Sequence, residues 1–357
     1  MTIRYYNKET FELKGEFPRY MKTTQTKYIN AIGAFEITSD VLPDGIAVGD
    51  LIHAYGAGAH EYFGELMQVS GDISGVRREY SFRGREITGI LSDRMPFTDN
   101  LLIRHTRVRR ESIMRDIIQK TCIVPENPDR MIPNLVLTND QARGSIISYT
   151  CAADKSVLDN VLSVGKGAWY GVEIAPDIAG HKYVCDIIVP ADRGIESASP
   201  VIISAKFDNL AAEHFVISRS AYKNVAYYGI ASEDQTTAYG SVELDAGTGF
   251  GRKERWIAAP HDETNVSNIE STIRMQLGNF KPAENFSGDY QESGTFTYGR
   301  DFKLGDFVAY VGETGASTRQ LAGFTQTCQA GRYAMQLIFG DNLVETVRTI
   351  QQIEGGR

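Results

Sequence analysis

Val48–Tyr55 (VGDLIHAY) and Leu304–Val311 (LGDFVAYV) decide the reading of the fold, because each opens a longer passage of one kind. The first continues as Gly64–Asp72 (GELMQVSGD) and Arg78–Glu86 (REYSFRGRE). The second continues as Ala322–Gly331 (AGFTQTCQAG) and Tyr333–Asn342 (YAMQLIFGDN). Gly49 and Gly84 bracket the first copy and Gly305 and Gly340 the second, each pair 35 positions apart, with an inner glycine at Gly64 or Gly323. Leu51, His53 and Tyr55 share one face and Ile52 and Ala54 the other, the two-residue period of a strand. The Gly-Asp pair before each first strand is turn chemistry: glycine accepts a positive φ and aspartate bonds nearby backbone. Gly49, Asp50, Gly305 and Asp306 are therefore the expected matched turns that start equivalent strands. A chain with two similar β-modules builds a ring with twice as many modules as chains, so three chains offer a quasi-six-fold surface.

Outward from these units, the first hundred residues read as strands, with alternation at Tyr28–Thr38, Leu51–Tyr55, Tyr62–Val69 and Arg78–Arg85. From about Asn100 the character changes. Arg110–Cys122 places Ile113, Ile117 and Ile118 on a helical stripe, and the prolines Pro125, Pro128 and Pro133 then forbid regular structure. Asp154 is the expected N-cap of a second helix, with Val157, Leu158, Val161 and Leu162 inward and Gly165 near its end. Two strands are expected next, in Ala168–Ile174 and Lys182–Val189. Strands return at Val201–Ala205, Phe215–Arg219 and Asn224–Ile230, and a third helix is expected over Asn265–Leu277, ended by Gly278. Asn342–Arg357 reads as a short, frayed helix.

The totals exclude several classes. With 357 residues, 42% hydrophobic and 23% charged, the chain fits two or more globular domains. No apolar run approaches the roughly 20 residues needed to cross a bilayer, and the start carries no uninterrupted apolar h-region, so no secretory signal is expected. Cys122, Cys151, Cys185 and Cys328 lie far apart with no C-x-x-C pair, the pattern of reduced buried thiols rather than a disulfide framework or zinc ribbon. A net charge of −8 argues against general affinity for DNA or anionic membranes.

Candidate chemistry is sparse. His60–Gly64 starts like H-E-x-x-H but lacks the second histidine, and His53 with His60 and Glu61 has no metal spacing. The glycines of Gly56–Gly64 and Gly247–Arg252 lack the strand–helix setting and G-K-[ST] ending of a nucleotide loop. No G-x-S-x-G elbow occurs, and His105, His181, His214 and His261 have no nucleophile partner in sequence. Asp289, Glu292, Asp301 and Asp306 offer carboxylates, for which turn capping is the simpler role. Trp169, Tyr170, Tyr222, Tyr227 and Tyr228 suit a core or interface as well as sugar stacking. The basic run Arg104, Arg107, Arg109 and Arg110 is the one place where an electrostatic contact between chains is expected. No catalytic, cofactor or metal site is expected.

Six strings taken in order resemble the tail-hub proteins of long-tailed bacteriophages, a family related to the amino-terminal hub module of tail-associated lysins. They are Ile3–Phe17, Asn30–Ile37, Ser81–Phe97, Phe250–Pro260, Phe296–Val311 and Leu337–Asn342, and they span nearly the whole chain. The resemblance implies a mainly β fold with α+β insertions: two related tube-like β-barrel domains plus two smaller inserted domains. Mapped onto this chain, the expected parts are 1–98 and 200–232 with 288–345 for the tube-like domains. The inserts are 99–199 (α+β) and 233–287 with 346–357 (helix-containing).

It further implies a homotrimer forming a pseudo-hexameric ring at the virion tail tip, made in the host cytoplasm without a signal peptide. A distal tail protein or tail tube hexamer sits above, a spike, fibre or tail lysin below, and the tape-measure protein and DNA leave through the lumen. Neither sequence-specific nucleic-acid binding nor membrane insertion is implied. Many relatives continue into a peptidoglycan-cleaving or fibre module, and this chain stops at Arg357 without one, so that work is expected of another protein. Two rivals remain: a carbohydrate-binding or glycan-cleaving β-protein at the tip, and the same hub in a contractile, phage-tail-like particle.

Overall fold

Alternation sets the strand faces and divides the apolar side chains between two cores. In Leu51–Gly56, Ile52 and Ala54 enter one core and Leu51 another. The computed structural model describes residues 1–56, 58–99, 101–231, 237–245, 247–259, 266–278, 280–292 and 295–340. The expected helix at 342–357 lies outside the described residues, as do His261 and Asn265. The chain divides into two compact units, one of 1–213 with 287–342 and one of 214–286 with 343–357.

Two five-strand assemblies organise the larger sheet. The first is built from β1 (Lys22–Tyr28), β2 (Ala34–Ser39), β3 (Leu51–Gly56), β4 (Ala59–Ser74) and β5 (Arg77–Glu86). The second is built from β6 (Leu210–Ser218), β7 (Ala283–Tyr290), β8 (Phe307–Gly312), β9 (Gly315–Gln329) and β10 (Arg332–Gly340). Neighbours run β1-β2-β5-β4-β3 in the first and β6-β7-β10-β9-β8 in the second, the same order twice. They join where β9 lies antiparallel to β1, Gly323 opposite Tyr28 and Gln329 opposite Lys22.

Their flanks differ. Thr2–Tyr6 pairs antiparallel with β3, whereas Asp192–Arg193 and Ile202–Ser204 pair parallel with β8. Tyr28–Thr38, expected as one strand, is two. A Cβ on Gly33 would lie 2.0 Å from the Thr26 carbonyl oxygen, and the bare glycine lets the chain turn back there.

Between the two assemblies lies α+β material. Helix α1 (Arg110–Ile118) runs on through a π-type turn at Gln119–Ile123. Helix α2 (Val157–Lys166) is capped by Ser156, whose side chain accepts the Asp159 N–H at 3.1 Å while Asp159 accepts the Ser156 N–H at 3.2 Å. Asp154 is therefore not the cap. Ser156 wins because its position three residues before Asp159 allows both bonds of a capping box. Ile113, Met114, Ile117 and Ile118 of α1 pack with Val157, Val161 and Val164 of α2 over the sheet Leu135–Leu137, Lys182–Ile188, Gly171–Asp177. All four cysteines are buried and unbridged.

The second unit has its own core. Thr237–Glu243, Val225–Ala231 and Glu254–Trp256 form a three-stranded sheet, and Ala226, Tyr228, Val242 and Ile257 share a core with Ile269, Ile273 and Leu277 of α3 (Val266–Leu277). Val225–Ala231, which the sequence assigns with 200–232 to the second tube-like domain, therefore belongs to this sheet instead. Its apolar alternation suits either sheet, and the partner strand decides.

Candidate functional site

The Gly-Asp turns are superposable in their bonding. Gly49 has φ +95° and Gly305 φ +94°. In the first turn Gly49 N–H donates to the Leu66 carbonyl at 2.7 Å, Asp50 N–H to Ala47 at 3.1 Å, and Leu66 N–H to Asp50 at 2.9 Å. In the second, Gly305 N–H donates to Leu321 at 2.9 Å, Asp306 N–H to Lys303 at 3.1 Å, and Leu321 N–H to Asp306 at 2.9 Å. The aspartate Oδ2 then accepts the N–H three residues back, from Ala47 at 2.8 Å or Lys303 at 3.0 Å. Four bonds thus recur. What differs is the outward tie: Asp50 receives the Lys14 ammonium at 2.7 Å, and Asp306 Oδ1 accepts the Ala191 N–H at 2.9 Å.

From Leu66 and Leu321 onward the two units stay in step without a gap. Each has a bulge one residue later, at Met67 opposite β5 and at Ala322 opposite β10. Their hairpins then turn between Ser74 and Arg77 and between Gln329 and Arg332. Only one extra residue in β4, where His60 and Glu61 together stand opposite Tyr55 of β3, lengthens the first copy. Gly64 therefore corresponds to Arg319, Gly323 to Gln68, and Gly84 to Phe339, so the inner and closing glycines of the sequence comparison are not equivalent. Gly64 and Gly84 answer to Phe35, whose ring a Cβ at either would meet within 2.6 Å.

Equivalent strands differ in cover. Ala322, Phe324, Gln326 and Cys328 of β9 are buried where β1 lies against them. Their counterparts in β4, Met67, Val69, Gly71 and Ile73, are exposed or half-buried, Met67 at 49% and Ile73 at 65%. β3 covers one edge of β4 only as far as Glu65, and β5 follows the other edge to Ser74. Among the described residues Gln68–Ser74 has no strand on its second edge. Sequence comparison missed this bare half, although its polar run Gln68–Asp72 beside the Arg77–Arg78 turn marks it against the Phe324–Cys328 stretch.

Charge is concentrated at the joint between the two assemblies. Lys27 of β1 pairs with Glu173 and lies 4.0 Å from Glu86. Burial pushes the Glu86 carboxyl up to about 7, against the pull of Lys27 and of the Thr88 hydroxyl, which donates to it at 2.9 Å. Burial disfavours the Lys27 ammonium, yet Glu173 and Glu86 outweigh it and hold its pKa above the usual value. A cavity of about 370 Å³ opens here, lined by Lys27, His60, Glu61, Glu173, Tyr298 and Lys303 among others. In the insert, fully buried Glu111 takes Arg143 at 2.7 Å and Arg115 at 2.9 Å; burial raises its carboxyl, but these partners outweigh that and bring it down to about 2.

The other candidates fall into structural roles. His53 Nε2 bonds Glu61 at 2.7 Å and its ring stacks on Phe63, whereas His60 packs edge-on against Tyr298, so the two do not converge. No group of three possible metal ligands occurs among the described residues. Asp301 accepts the Thr297 N–H at 2.7 Å and pairs with Arg300 at 2.7 Å, the capping role expected of it. Trp169 sits edge-to-face on Phe307, and Tyr228 donates to Glu270 at 3.2 Å from inside a core. In the basic run Arg109 donates to the Gly144 carbonyl at 2.8 Å and Arg110 to that of Val164, while Arg104, Arg107 and Arg109 are exposed.

The family model described as Siphovirus ReqiPepy6 Gp37-like protein matches residues 2–341. No curated protein matches the sequence. Among solved structures the chain is similar to the tail protein from Neisseria meningitidis MC58, at 12% identity and TM-score 0.57, covering 96% of each chain. It is similar to the prophage MuSo2 43 kDa tail protein from Shewanella oneidensis, at 11% identity and TM-score 0.60, covering 95% of this chain and 98% of that one. It is also similar to the prophage tail protein gp18 from Listeria monocytogenes EGD-e, at 13% identity and TM-score 0.56, covering 99% of each. At these identities the likeness is one of fold.

Proposed function

The chain belongs to the siphovirus ReqiPepy6 Gp37-like protein family, and from that premise we propose that it is the structural, non-enzymatic hub of a phage tail tip. Three copies form a ring of six β-assemblies around the channel through which the tape-measure protein and DNA leave. The observation that carries this is the repeat itself: two five-strand assemblies of one order, each with the same four-bond Gly-Asp turn before its third strand. Two such assemblies per chain adapt a six-fold tube or distal tail protein above to a three-fold spike or fibre below. Closing strands into a ring also satisfies the edge N–H and C=O groups that an open sheet leaves unpaired.

Gold-labelled antibody against the protein should mark virions at the end of the tail distal to the head. Label along the shaft, or at the head, would contradict the placement. On a cell-wall zymogram the isolated protein should leave no clearing; a cleared band would contradict the non-enzymatic role.

A further inference from the structure

Within one chain, the fourth strand of the second assembly, β9, lies against the first strand of the first assembly, β1. The reciprocal pair stays apart. β6, the first strand of the second assembly, ends the sheet order, and Gln68–Ser74 of β4 has no strand on its second edge among the described residues. The bare stretch matches the covered one position by position, Gln68 to Gly323 and Ser74 to Gln329, through the shared bulge and hairpin. Both bare edges carry apolar side chains in water: Met67 and Ile73 on β4, and Phe215 at 49% and Ile217 at 53% exposure on β6. Unpaired edges of this length invite strand addition.

We propose that Gln68–Ser74 of β4 pairs antiparallel with the outer edge of β6 (Leu210–Ser218) from a second copy of this chain. The joint between chains then repeats the β9–β1 joint within one. This pairing rests on the ring proposed above and names the surfaces that close it. It is head-to-tail, since each copy offers β4 on one side and β6 on the other, and such contacts form closed rings when the rotation closes.

A photo-crosslinking residue placed in the full-length protein at Asp72, and separately at the equivalent Thr327, tests it. The Thr327 variant should crosslink within its own chain to Lys22–Tyr28, since Thr327 faces Thr24, which also verifies the fold. The Asp72 variant should crosslink between chains, its product mapping to Leu210–Ser218, with a native mass three times the 39.6 kDa chain. A trimer whose Asp72 product maps elsewhere overturns the pairing and leaves the ring standing. A chain that stays monomeric at every concentration, with no product between chains, overturns both.

Discussion

Gly49 and Gly305 share one φ but not one environment, and their replacement separates backbone strain from crowding. A Cβ at Gly49 would meet nothing within 4 Å, whereas one at Gly305 would lie 2.3 Å from Ile29 Cδ1 and 3.2 Å from Ile188 Cγ2. Gly49→Ala should therefore cost only left-handed strain, about 1–2 kcal/mol. Gly305→Ala adds overpacking of about 1–3 kcal/mol. Urea unfolding of the two variants should show the larger loss at Gly305, and equal losses would contradict the crowding. Glu86 supplies a pH signature. Its folded pKa of about 7 lies above the ordinary 4.5, so the folded state holds the proton more tightly. Its contribution to stability is full below about pH 4.5 and is lost as pH rises through about 7, roughly 3 kcal/mol in all. The difference in stability between the wild type and Glu86→Gln should follow that slope between pH 4.5 and 7; a flat difference would contradict it. At this scale the Gly-Asp turns were legible in sequence because turn chemistry is local. The inner glycines misled because Phe35, remote in sequence, sets Gly64 and Gly84.

Elements were legible where their signal is periodic and lost where it depends on a partner. α1 and α3 follow their apolar stripes, and the strands of both assemblies follow their alternation. The cap of α2 lies two residues beyond the Asp154 that the sequence suggests, since Asp154 and Ser156 are both good capping residues and only the reciprocal bond with Asp159 distinguishes them. Ser156→Ala should cost about 1 kcal/mol of stability, and Asp154→Ala well under that. A larger loss at Asp154 in thermal or urea unfolding would contradict the assignment. The sheet that holds Val225–Ala231 is hidden in the sequence for a related reason. Alternation fixes which face of a strand is apolar but not which strand lies beside it. The bare edge of β4 was invisible for the same reason, since cover by β1 is a property of the folded sheet.

At the scale of the whole molecule, the repeat explains features that a single sheet does not. Among the described residues, one chain contains two assemblies of identical strand order, one internal joint, and an unpaired edge at each of the two reciprocal positions. A net charge of −8 on each chain would give a three-chain collar a wall that repels nucleic acid rather than holding it. The most direct test is a cryo-EM reconstruction of the tail end, computed without imposed six-fold symmetry. The expected map has six similar β-assemblies alternating between two kinds around the channel, contributed by three copies of this chain. Six copies each giving one assembly to the ring, or an open arrangement with Gln68–Ser74 facing solvent, would contradict the account.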